Sequence, residues 1–268
     1  MYCLNPWNQC PYSYTMIRKP LGLRRVLIRM SLGLGLATSV TIATGCSPSV
    51  SKSCADGGEC HVGDIGPGGG TVFFVSSKPF RSGAACGETC RYLEVAPNGW
   101  NTNVDLLASS TERGCPDVGS TEQDPSCWWL GLSVFARVPI TTGESIGAGY
   151  TNTSKMTATD AIHQNAVSVV QAYRGGDRLD WYIGSKQELN ELCKFARNQP
   201  TGDISRACTS SGSLRRGFRP SFYWSSSESQ PNRPWGQEFG DSDEFVTGGE
   251  QTEGTSVQDF SVRPMRAF

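Results

Sequence analysis

Histidine is nearly missing from this 268-residue chain, which holds only His61 and His163. His163 has no acid or nucleophile paired with it locally, and no Ser/His/Asp or Cys/His arrangement is readable in the chain. No Cys-x-x-Cys spacing occurs, and with so few histidines the cysteines do not read as a zinc site. Long apolar runs are absent too. The longest, the thirteen residues from Met30 to Ile42, is too short to span a bilayer as a stable helix. Positive charge is scarce once the N-terminal segment is set aside. Residues 1–45 carry Arg18, Lys19, Arg24, Arg25 and Arg29 and no acid, which leaves 24 − 5 = 19 basic against 25 acidic residues, a net charge of −6. That balance excludes the broad basic footprint of a nucleic-acid binder.

What the N-terminal segment does have is the grammar of export. After residues 1–15, which show no periodicity and read as an extension before the true start at Met16, a basic stretch precedes the apolar run and small residues follow. Residues 16–45 are therefore expected to be a signal peptide. Ala43-Thr44-Gly45-Cys46 resembles a bacterial lipobox, with Ala43 where Leu is usual. The match implies a lipid on Cys46 and an anchor in the cell membrane, on its outer face. Residues 46–59 then read as a tether and 60–268 as one folded domain. Setting aside Cys3, Cys10 and Cys46, eight cysteines remain: Cys54, Cys60, Cys86, Cys90, Cys115, Cys127, Cys193 and Cys208. An even number in an exported chain reads as four disulfides. About 105 pairings are open to eight cysteines; joining neighbours is the simplest.

The chain is organised around residues 179–192. Trp181, Tyr182 and Ile183 suit a strand. Ser185 followed three residues later by Glu188 is a capping box for a helix over 186–197, whose apolar face is Leu189, Leu192, Cys193 and Ala196. A second helix is expected over 158–173, from the stripe Ile162, Ala166, Val169, Val170 and Tyr173. Strands are expected at 71–75, 91–97, 222–228, 235–239 and 260–268. The glycine-rich run at 66–70 invites a phosphate-loop reading. It precedes a strand instead of joining strand to helix, and no Gly-Lys-Ser/Thr follows, so a tight turn is the expectation. Trp128-Trp129-Leu130 is expected in the core.

Taken together, Gly-Gly-Gly-Thr-Val-Phe-Phe, Arg-Tyr-Leu-Glu-Val-Ala-Pro, Asp-Trp-Tyr-Ile-Gly-Ser-Lys-Gln-Glu-Leu, Tyr-Trp-Ser-Ser-Ser-Glu and Val-Arg-Pro-Met-Arg-Ala-Phe resemble the bacterial domain at the C-terminus of collagen-like adhesins, formerly catalogued as a domain of unknown function. The resemblance covers residues 60–268, with Gly184 where that family usually has proline. More distantly, the order of elements resembles the C-type-lectin-like fold shared with formylglycine-generating enzymes. It implies an α+β fold: two helices flanking a small antiparallel sheet, adjacent terminal strands and long disulfide-tied loops.

For function, the resemblance implies a surface adhesion module for a glycan or protein ligand, and adhesins of that family bind sulfated polysaccharides. Arg215, Arg216 and Arg219 form the one basic cluster after residue 45 and are the candidate ligand-binding residues. Asp241, Asp243 and Glu244 offer oxygens to Ca²⁺ in a run that lacks the EF-hand spacing. A formylglycine-generating activity would need paired reactive cysteines in the C-terminal part, and none follows Cys208. No catalytic residues and no cofactor other than calcium are expected, and no nucleic-acid partner. The ligand, the disulfide connectivity and self-association into a homo-oligomer stay open.

Overall fold

The computed structural model describes residues 51–104, 115, 124–129, 141–159, 165–240, 248–255 and 258–268. It is a mixed α+β unit with two sheets. Strands β1 (Thr71–Phe80), β2 (Cys90–Val95) and β8 (Met265–Ala267) form a three-stranded antiparallel sheet in the order β1-β2-β8. The second sheet has the order β3-β7-β4-β5-β6, from β3 (Ser126–Trp128), β4 (Phe222–Gln230), β5 (Arg233–Glu238), β6 (Gln251–Glu253) and β7 (Asp259–Ser261). Its one parallel pair is β4 with β7. The closing segment thus serves both sheets. The sequence reading made 260–268 one strand, but the chain leaves one sheet at Ser261 and enters the other at Met265, crossing at Pro264, which lacks an N–H for a ladder. The terminal strands share a sheet without touching: β1 and β8 each pair with β2.

Helix α3 (Lys186–Ala196) carries the expected cap. Ser185 Oγ accepts from the Glu188 N–H, and Glu188 accepts from the Ser185 N–H at 2.8 Å. The residues before it, expected as a strand, make only a single bridge, Tyr182 with Met265. Gly184 packs so closely on Met265 that a Cβ there would lie 2.4 Å from its sulfur.

The other helical expectation needs correction. In place of one helix over 158–173 there are two, α1 (Gly149–Thr159) and α2 (Ala166–Ala172). Asn165 caps α2 by accepting from the Ser168 N–H, so the apolar stripe starts at a cap and does not continue through it. The polar sequence of α1 hides it from a search for apolar periodicity. Its buried face uses Met156 together with Asn152 and Thr153; Thr153 Oγ1 donates to the Ile183 carbonyl and accepts from the Ile183 N–H.

Two apolar clusters result. One packs Leu189, Leu192 and Phe195 of α3 on Phe73, Phe74, Leu93, Tyr223 and Phe239. The other gathers Trp100, Trp129, Trp181 and Trp224 with Val169 and Val170 of α2. Of the run expected in the core, Trp129 is fully buried and donates to the Ser225 carbonyl, Trp128 is half-buried, and Leu130 lies outside the described residues. Four disulfides join neighbours: Cys54–Cys60, Cys86–Cys90, Cys115–Cys127 and Cys193–Cys208. Cys54 and Cys60 are buried with Val72, so the folded unit takes in part of the segment expected as a tether. No helix of the described residues is long and apolar enough to cross a membrane.

Candidate functional site

The glycine-rich loop does hold an anion, and the anion is the protein's own. The N–H groups of Gly68 and Gly70 donate to the Glu94 carboxylate at 2.9–3.1 Å. Arg266 Nη1 donates to the same carboxylate at 2.8 Å and its Nε to Asp180 at 2.6 Å. A Cβ at Gly68 would lie 2.7 Å from both Glu94 and Trp181, so the close approach requires glycine. Burial raises the Glu94 pKa above its ordinary value, against the pull of Arg266 and the loop N–H groups. With Glu94 seated there, the loop has no free donors for a phosphate.

Ser185 and Glu188 are likewise structural. Glu188 is fully buried; besides its cap role it accepts from the Gly147 N–H at 2.9 Å and the Tyr182 hydroxyl at 3.2 Å. Burial raises its pKa as well.

Arg215 and Arg216 are different. Both are exposed and line a cavity of about 420 Å³ with Thr71, Val95, Ala96, Pro97, Asn98, Phe195, Phe218 and Arg263. The loop that carries them is firmly held. The Arg215 N–H donates to the Ala196 carbonyl at 2.7 Å, its Nε donates to the Phe195 carbonyl at 2.6 Å, and its guanidinium lies 4.3 Å over the Phe195 ring. Arg197, at the end of α3, gives its guanidinium to the carbonyls of Ser210 and Phe239, and Cys193–Cys208 ties helix to loop. Long side chains on so fixed a backbone lose less freedom on binding than they would on a loose loop.

Beneath the groove lies Arg263, buried over the Phe218 ring at 4.5 Å and paired with Asp124. Asp124 also accepts from Trp100 Nε1 at 2.8 Å and the Tyr223 hydroxyl at 2.6 Å. The Arg263 charge is thus met from below, while Arg215 and Arg216 face solvent. Arg219 lies outside this cavity's lining. It is half-buried and its N–H donates to the Tyr223 hydroxyl.

A second cavity of about 320 Å³, lined by Trp100, Tyr173, Arg174, Gly175 and the turn Pro97–Gly99, shares Pro97 and Asn98 with the first. The two cavities therefore border the same turn, with Arg174 in the lining of one and Arg215 and Arg216 in the lining of the other. Tyr173 meets Trp100 edge-on and Trp181 at a tilt, and burial pushes its phenol up to about 12, so it stays neutral and can donate. No aspartate or glutamate lines either cavity. Arg174 follows the end of α2 and Asn98 follows the end of β2. Nothing in their spacing joins them to Arg215; contact through the fold does.

Cys46, Asp241, Asp243, Glu244 and His163 lie outside the described residues. Among the described residues, no group of three or more His, Cys, Asp or Glu is placed to hold a metal ion. His61 is exposed, 3.5 Å from Asp64. No protein-family model matches the chain, and no curated protein is significantly similar to it.

Proposed function

We propose that this chain is an exported binding module, lipid-anchored at Cys46 on the outer face of the cell membrane, with a C-type-lectin-like domain that attaches to anionic glycans and performs no catalysis. One observation carries the reading. In a chain whose net charge after residue 45 is −6, the cavities that border Pro97–Gly99 are lined by four arginines and no acid. Their walls supply what a charged sugar chain needs: guanidinium forks for sulfate or carboxylate, the Asn98 amide for hydroxyls, and the rings of Tyr173, Trp100 and Phe218 for the apolar sugar face. Two arginine-bearing cavities that border one turn suit a chain with several anionic groups better than an isolated ion.

The test is a sulfated-glycan array probed with the purified chain at two salt concentrations, with and without calcium. Binding to sulfated chains should weaken steeply as salt rises, because each phosphate-like or sulfate contact releases condensed counterions. It should also weaken about tenfold when Arg215 and Arg216 are both changed to Gln, a loss on the scale of one good charge-assisted contact. Binding that ignores salt, or that the double variant retains in full, would sink the proposal. Dependence on calcium would move the site to Asp241–Glu244.

A further inference from the structure

A different part of the surface carries a second cationic cavity, and it shares no lining residue with the arginine groove. It measures about 560 Å³ and lies between the turn after β1, the segment 143–148 and the first turns of α1. Its lining again contains no aspartate or glutamate. Two cations, Arg81 and Lys155, stand in it with the hydroxyls of Ser82, Ser145 and Thr151. We propose that this cavity is a second binding site, for a single sugar unit bearing one anionic group.

Three features argue that the cavity is built and not a gap. Its wall is fixed by Asn152, a side chain only 1% exposed, which accepts from the Gly143 N–H at 2.9 Å and donates to the Gly143 carbonyl at 2.7 Å and to Ser226 Oγ at 3.3 Å. Ser82 is 7% exposed; its oxygen accepts from the Ala84 N–H at 3.2 Å, and among the described residues its hydroxyl proton is given to no acceptor. A buried hydroxyl with an uncommitted proton beside a polar cavity calls for an acceptor from outside. Finally, the rim is held in place. Cys86–Cys90 closes the loop just before β2, and the Ser82 N–H ties on to that loop by donating to the Gly87 carbonyl at 2.7 Å. The cations are not used up internally. Arg81 meets Glu88 at 3.6 Å with both side chains largely exposed, a weak pairing in water. Lys155 donates to the Thr141 carbonyl at 2.6 Å and keeps its charge and its remaining donors.

The chemistry selects the ligand class. Two cations in one lining suit one anionic group; the hydroxyls of Ser82, Ser145 and Thr151 suit a polyol. The volume is that of a small-molecule site, not of an extended chain. A uronic acid, a sugar phosphate and a sugar sulfate share this chemistry.

The experiment titrates the purified, oxidised chain with glucuronate, glucose 6-phosphate, glucose 6-sulfate and uncharged glucose, following amide shifts by NMR. At least one charged sugar should saturate and shift amides of Ser82, Gly83, Ala148 and Thr151, while glucose does not. Changing Arg81 and Lys155 together to Gln should weaken that binding about tenfold, the scale of a lost charge-assisted contact; both are exposed, so the fold should persist by near-UV circular dichroism. Ser82→Ala, a smaller change, should weaken it less but in the same direction. Arg216→Gln should leave it unchanged while reducing glycan-chain binding, which separates the two sites. Equal binding of glucose, shifts confined to the arginine groove, or full affinity in the Arg81/Lys155 variant would each overturn the proposal.

Discussion

Two regions of this molecule present donors suited to anions, and they differ in whether the chain itself supplies the anion. The loop of Gly66–Gly70 points its N–H groups inward and receives Glu94 from β2, with Arg266 completing the cradle. The cavities that border Pro97–Gly99 expose Arg174, Arg215 and Arg216 and have no acid in their lining. The contrast teaches that a motif's ligand cannot be assigned until the chain's own side chains have been counted as competitors. A glycine-rich loop is a generic anion cradle; here an internal carboxylate fills it and makes it architecture. Of the groove arginines only the buried Arg263 has a carboxylate partner, Asp124; Arg215 and Arg174 give hydrogen bonds to backbone carbonyls and keep their charge, which remains for something outside.

The sharpest way to break this contrast is to empty the internal cradle. Glu94→Ala would leave Arg266 and two loop N–H groups without their acceptor. Removing one member of a buried, hydrogen-bonded ion pair costs about 3–5 kcal/mol, and we expect a destabilisation of that size by urea unfolding. Any surviving folded protein should now bind inorganic phosphate at the loop. A Glu94→Ala protein as stable as the parent would show that the cradle is incidental.

The groove can be broken from its own side by removing the staple behind its arginines. Cys193–Cys208 spans fifteen residues, and a closed loop of that length is worth about 3 kcal/mol. Replacing both cysteines by Ser should lower stability by about that amount. It should also lower affinity for sulfated chains, because the loop bearing Arg215 and Arg216 loses its anchor, while the Glu94 cradle stays intact by hydrogen exchange at Gly68 and Gly70. Unchanged glycan binding would mean that the hydrogen bonds to Phe195 and Ala196 hold the loop on their own.

These two regions also mark what the sequence could tell and what it could not. Ser185 and Glu188 were legible because a capping box is closed within four residues. The neighbour-to-neighbour disulfides were legible as the simplest pairing for the same local reason. Trp129 in the core followed from the cost of exposing paired indoles. The partner of the glycine loop was not legible: Glu94 lies 26 residues beyond Gly68, and only the β1–β2 pairing returns it there. Helix α1 was missed because its inward face is Asn152, Thr153 and Met156, held by specific hydrogen bonds instead of an apolar stripe. Arg174 and Asn98 joined the groove for the same non-local reason. Local chemistry is written in neighbouring residues, whereas a site assembled from four separate segments is written only in the fold.

Acid should separate the buried carboxylates from the exposed charges more gently. Burial raises the pKa values of Glu94 and Glu188 above the ordinary 4.5. A raised carboxylate pKa means that the folded chain binds protons more readily than the unfolded one. The stability from this source is complete below about pH 4.5 and is lost as pH rises through the raised values. Going from neutral pH down to 5 should therefore increase stability, by at most about 1.4 kcal/mol per pH unit for each proton taken up. Glu188→Gln should flatten that slope in a thermal-melt series. A slope of opposite sign in the parent would show that the exposed acids, not the buried ones, govern this range.

The smallest expected effect on stability is the one that defines the groove as a surface for something else. Arg216 is exposed and makes no hydrogen bond to the described residues, while Arg215 is pinned by Phe195. Arg216→Gln should change the unfolding free energy by no more than about 0.5 kcal/mol, the usual range for an exposed position. Arg215→Gln should cost somewhat more, because it gives up the bond to the Phe195 carbonyl and the stacking on its ring. On a sulfated chain the two should be closer to equal, since each contributes one charge and the salt slope falls by about one contact for either. If Arg216 proved as important as Arg215 for stability, its side chain would have an internal task, and the outward-facing half of the comparison would lose one of its charges.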